Sequence, residues 1–450
     1  MKTNRRFFLR TAAATGLASF LRPSFPGLLA AESVELLGGL FDSPDPAVLK
    51  LADDVYKKCV LGKICPPEDP LKYNWITPGG GYRGQWVWDT MFVVDLLSLL
   101  PGQEKVIRDV FQNYWDFQEL WNAQMPDYAH DMVTANIKPG MDNVKAWPMS
   151  QIPILAWGLE RVYTRNRDKE LLRQCLKPVE KFHDWYWRER DINNAGLIII
   201  GSYNGQIRYA KWETFDEECN MDGLKMTVHP TRKGEKEGAW YGDICVPGNT
   251  AYLIMAERSL VRLAEIMGDN EMALRRKARI DKAVEAMRKH MWDEESGLFL
   301  SVNRDSLKKI PVGTIGSWIP LTAGVPTETM AKRMAETLQT PSWNTPLPVP
   351  TVDRKDKRWE SGVGIFWRGD VWPATNYQIA SGLAAYGFKD LAADIADKTV
   401  ANAIQNGISE RYDSVSGKKL GVENLGMSCT IITMMLDGLC RKHQLLIKNK

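Results

Sequence analysis

The chain is poor in histidine, with five in 450 residues: His130, His183, His229, His290 and His443. None belongs to an H-E-x-x-H pair, so neither a His-built metal site nor a Ser-His-Asp triad has support in the sequence. The seven cysteines (59, 65, 175, 219, 245, 429 and 440) include no C-x-x-C and no pair at zinc-finger spacing. Cys59 and Cys65 are near enough to close a short loop in an oxidising compartment, but free buried thiols are the preferred reading. No metal or other cofactor is expected. Long apolar runs are also missing. Near the N-terminus, Arg10 and Arg22 leave only eleven residues between them, too few for a membrane span. There is no repeat of fixed period and no Gly/Ser-rich or Pro-rich linker that would divide the chain.

An excess of positive charge is absent once the first residues are set aside. Asn4-Arg5-Arg6-Phe7-Phe8-Leu9-Arg10, a weakly apolar run from Thr11 to Leu21, and Leu28-Leu29-Ala30-Ala31 together read as a twin-arginine export signal over residues 1–31. The expected location is therefore the periplasm or the medium. This leader holds five of the 58 basic residues and none of the 55 acidic ones, which leaves a formal net charge of −2. No basic stripe remains to suggest nucleic acid.

What the chain does have is aromatic residues and helical periodicity. Seventeen Trp, with 14 Tyr and 13 Phe, fit a carbohydrate cleft and fit a large helical core nearly as well. Apolar periodicity predicts helices over residues 46–59, 89–100, 106–120, 151–164, 169–188, 249–267, 270–291, 327–338, 375–386, 389–406 and 428–446. Strand signals are short and lie between helices, at Gly196–Gly201 and Gly297–Ser301. The expected fold is all-α: one domain over residues 32–450, an (α/α)6 barrel of six helical hairpins with decorated loops and a few short strands.

Three segments ahead of helices concentrate aromatic, acidic and guanidinium groups. Tyr82-Arg83-Gly84-Gln85-Trp86-Val87-Trp88-Asp89 sets Asp89 at a helix start, as an ordinary cap or as a hydroxyl-binding carboxylate beside stacking Trp rings. Phe366-Trp367-Arg368-Gly369-Asp370-Val371-Trp372-Pro373 combines rings that stack on sugar C–H faces with an Arg fork, although a buried helix start accounts for it equally well. Ser409-Glu410-Arg411-Tyr412-Asp413 offers a carboxylate in a loop before the last helix. A fourth segment, Trp212 to Asp222, packs five carboxylates into eleven residues. Crowding and desolvation there could keep one protonated, or the segment could be a solvated acidic loop. If connections alternate between the two ends of a ring, these loops share one mouth.

In that order, and with Ala146-Trp147-Pro148-Met149-Ser150-Gln151-Ile152-Pro153 and Met291-Trp292-Asp293-Glu294-Glu295-Ser296-Gly297-Leu298-Phe299 between them, these segments resemble the inverting glycosidases of glycoside hydrolase family 63. The family's relatives include mannosylglycerate hydrolase and trehalase. The resemblance covers about residues 70 to 440. It implies a six-hairpin toroid and hydrolysis of an α-glycosidic bond in a small glycoside or oligosaccharide. Glu410 would be the base that activates water. The acid would be Asp222 by ungapped spacing from Glu218, with Asp216 and Glu217 as the alternatives when Trp212-Glu213-Thr214 is taken as the start of the acid motif. The Asn/Asp-Ser-Pro tail of that motif is absent here, and Ser414 stands where the family has Pro. Tyr82, Trp86, Trp88, Asp89, Gln151, Trp367, Arg368, Gly369 and Trp372 would line the sugar subsite. Inversion needs room for a water, so the two carboxyl groups are expected about 6.5–9.5 Å apart. The rival readings are an epimerase or lyase on the same fold, which would depend on His or Tyr bases, and a non-catalytic carbohydrate-binding protein.

Overall fold

The computed structural model describes residues 40–124, 130–140, 150–202, 226–228, 240–363 and 367–448. Leu40–Lys450 forms one compact unit. The described residues contain twelve α-helices: α1 (Pro46–Val55), α2 (Val87–Leu97), α3 (Glu104–Gln124), α4 (Leu155–Asn166), α5 (Lys169–Arg190), α6 (Pro247–Met267), α7 (Asn270–His290), α8 (Ile319–Thr322), α9 (Glu328–Leu338), α10 (Pro373–Ala385), α11 (Lys389–Asn406) and α12 (Thr430–Leu436).

The helices are of two kinds. Every side chain of α2 is buried, and α6 and α10 are nearly as enclosed. Helices apolar all round cannot sit at a surface. By contrast α5, α7 and α9 are amphipathic, with buried and exposed faces. Packing follows the same division. The even-numbered helices contact one another in succession, α2 on α4, α4 on α6, α6 on α8, α8 on α10 and α10 on α12. The turn Gly426–Cys429 that leads into α12 packs back on α2. Helix α5 packs on α4, α7 on α6 and α11 on α10, each on the even-numbered helix just before it in the chain, the last two most extensively.

Helix entry differs in the same way. Three helices that follow a short turn begin at a side-chain cap: Asp168 accepts from the Glu170 and Leu171 N–H groups, Asp269 from Met272 and Thr327 from Met330. Entry to α2, α6 and α10 is instead from the extended residues Trp86, Val246 and Trp372, and α6 and α10 then carry Pro at their first turn. Like the entries to α4, α8 and α12, these entries follow long stretches of chain between described helices. The described parts of the motif segments lie on those stretches or on the helix turn that follows.

Among the described residues, strands lie on these stretches and near the ends of the described chain. In the largest sheet Trp240–Cys245 pairs antiparallel with Ile199–Ser202, Met226–Val228 and Val302–Asn303. Ser409–Tyr412 forms a hairpin with Lys419–Glu423. Three expectations shift. The strand expected at 196–201 lies at 199–202, because Gly196 turns at φ +76. The last helix stops at Leu436 rather than 446: Gly438 turns left-handed at φ +72, and Leu446–Ile447 pairs with Phe41–Asp42. Helix α8 is an addition, too short to leave a periodic signal. Cys59 and Cys65 are free, as are Cys175, Cys245, Cys429 and Cys440.

Candidate active site

Glu410 lies on the first strand of the 409–423 hairpin and is 4% exposed. Its Oε1 accepts from the Tyr82 hydroxyl at 3.1 Å and its Oε2 from the Val422 N–H at 2.9 Å. Burial raises its pKa above the usual glutamate value; the Val422 N–H, the Arg411 guanidinium and the Tyr82 hydroxyl pull the other way. The carboxylate is thus desolvated and met by donors, the setting of a base whose pKa lies above the ordinary glutamate value.

The aromatic segment is joined to this strand. Val371 and Tyr412 exchange backbone hydrogen bonds of 2.8 and 2.9 Å. Trp367 stacks on Trp372 with centroids 3.9 Å apart and planes 7° from parallel. Trp367 itself sits at φ +59, and Gly369 at φ +128, where a Cβ would come within 2.7 Å of the Trp359 ring nitrogen. The chain can therefore double back only with glycine there. Arg411 lies over Trp372, 5.5 Å from the ring centroid, donates from Nε to Asp370 at 2.9 Å, and sets Nη1 3.6 Å from Glu410. Asp370 is fully buried and also accepts from the Gly362 N–H and the Ser361 hydroxyl. Arg368 is half-buried beside this stack.

At the start of α2, Trp86 is buried and meets the Tyr82 ring edge-on at 6.3 Å. Trp88 points into the core, edge-on to Phe92 and Tyr252, and its indole N–H reaches the Met427 sulfur at 3.3 Å. Gln151 accepts the Trp88 backbone N–H at 2.8 Å, and its own carbonyl accepts from the Tyr186 hydroxyl. Both are thus tied to the helix start. Asp89, 8% exposed, has an Oδ1 with no hydrogen-bond partner among the described residues. Burial first, and then the negative charge of Glu410, push its pKa up to about 7.

The structure therefore brings together Tyr82, Trp86, Asp89 and Glu410 with the Trp367–Trp372 stack. Asp222, Asp216 and Glu217 lie outside the described residues, and so does Trp147. Sequence reasoning missed the Asp370–Arg411 pair, although both residues stood inside segments already singled out; nothing in a linear pattern shows that position 411 folds against 370. It also missed Gly421. At φ +72, a Cβ on Gly421 would lie 2.2 Å from the Glu410 carboxylate. Gly421→Ala is expected to displace that carboxylate and lower kcat on the order of 100-fold, with a smaller effect on KM. Steady-state kinetics on a hydrolysed glycoside check this; wild-type rates would contradict it.

Asp89 carries a cost to the fold. The native state holds its proton more tightly than the unfolded chain, so stability falls as pH rises from the unfolded value of 3.8 through about 7. Asp89→Asn is expected to raise stability at pH 8 on the order of 1–3 kcal/mol, a gain that shrinks toward zero near pH 4. Thermal melts across that range check it; a variant less stable than wild type at pH 8 would contradict it.

Residues 82–428 match the mannosylglycerate hydrolase MGH1-like glycoside hydrolase domain. The chain is 29% identical over 437 residues to the mannosylglycerate hydrolase of Rubrobacter radiotolerans, covering 82% of this chain and 95% of that protein. It is 23% identical over 397 residues to the mannosylglycerate hydrolase of Thermus thermophilus, covering 78% and 94%. Among solved structures, a glycoside hydrolase family 63 mannosylglycerate hydrolase from Thermus thermophilus in complex with Tris and D-glycerate superposes with a TM-score of 0.66 at 21% identity, covering 85% of this chain and 98% of that one. With the family match running from Tyr82 to Ser428 and so enclosing all the residues just described, the chain belongs to the MGH1-like glycoside hydrolases and is a family 63-like glycoside hydrolase.

Proposed function

We propose that this enzyme is an exported, inverting α-glycosidase acting on a small α-linked glycoside. Glu410 takes a proton from water, and Asp222, or in its place Asp216 or Glu217, protonates the departing oxygen on the opposite face. The observation that carries the reading is Glu410 itself. It is a buried carboxylate oriented by Tyr82, Val422 and Arg411, beside a pair of stacked tryptophans and a second buried carboxylate, Asp89. The succession of contacts among the even-numbered helices, with the α12 entry against α2, supports an (α/α)6 toroid whose long connections meet at one mouth. Residues 1–31 would direct twin-arginine export and be removed, leaving residues 32–450 as the catalytic domain.

Asp89 would accept from a sugar hydroxyl, and Arg368 would donate to one at the rim. Trp86, Trp367 and Trp372 would shape the subsite; Trp88, Gln151 and Gly369 would act through them by fixing the helix start and the turn. Relatives named as mannosylglycerate hydrolases make the α-mannoside of glycerate the first substrate to test, followed by trehalose and a panel of α-glucosides and α-mannosides. The expected result is stoichiometric release of free sugar from at least one α-glycoside and from no β-anomer. Binding of these sugars without turnover would contradict the reading and favour a non-catalytic carbohydrate-binding protein.

A further inference from the structure

Lys63 belongs to none of the segments that carry the family resemblance. It lies just after α1, and its backbone C=O accepts the Thr77 N–H at 3.0 Å. The side chain runs beneath the turn that ends in Tyr82: a Cβ on Gly79 would come within 2.5 Å of Nζ. The residue is 8% exposed. Its ammonium has no hydrogen-bond acceptor and no ion-pair partner within bonding distance among the described residues. The stem of this lysine is buried while its ammonium keeps some access to solvent, so an acceptor that binds there takes the place of water.

The same wall holds a complementary group. The Pro78 carbonyl accepts the Gly426 N–H at 2.8 Å, and the Met427 N–H beside it donates to the Asp89 carboxyl group, whose Oδ1 has no partner among the described residues. The 77–82 turn thus touches Lys63 through Gly79 and, through Pro78, the 426–427 turn that donates to Asp89. Lys63 and Asp89 influence one another electrostatically, and the groups acting on Lys63 are Asp89 and the thiols of Cys59 and Cys65. A donor with three N–H bonds and an enclosed acceptor oxygen suit one alcohol, which accepts from the first and donates to the second. The Lys63 site is also within reach of the chemistry, because the turn above it sends Tyr82 to Glu410.

We propose that Lys63 is a sugar-binding residue, and that its ammonium and the Asp89 carboxylate hold a single hydroxyl of the bound glycoside between them. The proposal rests on the glycosidase reading above. Its consequence is specificity: a sugar lacking that hydroxyl leaves both charges uncompensated, a stronger rejection than an apolar pocket can achieve.

The test is a cycle of enzyme variant against substrate analogue. The probes are the α-glycoside that the wild-type enzyme turns over and the series of its monodeoxy analogues. One analogue is expected to lose about 10- to 100-fold in kcat/KM on the wild-type enzyme. Lys63→Met is expected to lose a similar factor on the parent glycoside, but no more than roughly 3-fold further on that same analogue. A merely structural lysine would leave every parent-to-deoxy ratio at its wild-type value, and that result overturns the proposal. Should Lys63→Met fail to fold by thermal melting, Lys63→Gln is read in the same cycle, with the same ratios deciding. Turnover with unchanged ratios removes the assignment of Lys63 alone, whereas no turnover of any α-glycoside by the wild type removes the glycosidase reading and this inference together.

Discussion

Replacing Glu410 with Gln lowers kcat about 10³- to 10⁴-fold and leaves KM and the melting temperature near their wild-type values. The amide is isosteric and keeps an oxygen for one of the two donors that orient the side chain, Tyr82 and Val422. What it loses is basicity. Stability should not suffer, because removing a desolvated charge is often neutral or favourable. The pH profile adds a second mark. Wild-type kcat/KM falls on the acid side as Glu410 takes up its proton, and burial places that limb above the usual glutamate value of 4.5. Asp89 adds a requirement in the same direction, with its pKa near 7. In Glu410→Gln the limb that belongs to Glu410 disappears along with most of the rate. Activity within tenfold of wild type would show that another group activates the water.

The second large effect separates the acid from its neighbours. An acid that donates to the leaving oxygen matters in proportion to how poor that leaving group is. Asp222→Asn is expected to cost about 10²- to 10⁴-fold on an alkyl or glyceryl α-glycoside and less than about tenfold on the corresponding α-glycosyl fluoride, which departs without a proton. Asp216→Asn and Glu217→Gln, measured beside it, should lose little and equally on both. If one of those two shows the leaving-group pattern instead, the acid moves to it and the mechanism stands. If none of the three does, the acid does not come from this segment.

Much of the scaffold was legible because burial leaves a periodic trace. The stretch Val87–Leu97 is apolar on every side, and the Asp and Thr caps at 168, 269 and 327 mark where helices restart after short turns. The short helix at 319–322 was not, since four residues show no period, and α12 ends earlier than periodicity suggests because apolar residues continue past Gly438 into a strand. The site was legible in its parts and not in its assembly. Glu410, Tyr82 and the 366–373 segment stood out by composition, yet the bond from Tyr82 to Glu410 spans 328 residues, and the one from Arg411 to Asp370 spans 41. Lys63 and Gly421 bore no mark at all. One is a lone lysine after an ordinary helix and the other a lone glycine in a hairpin. Each acquires meaning only from what the fold sets against it.

The most direct measurement is the anomeric configuration of the first sugar released, followed by proton NMR during hydrolysis of an α-glycoside, before mutarotation erases it. A base at Glu410 that activates water opposite the departing group yields the β-anomer first. Initial appearance of the α-anomer would mean retention through a covalent intermediate, and would contradict the roles assigned to both carboxyl groups.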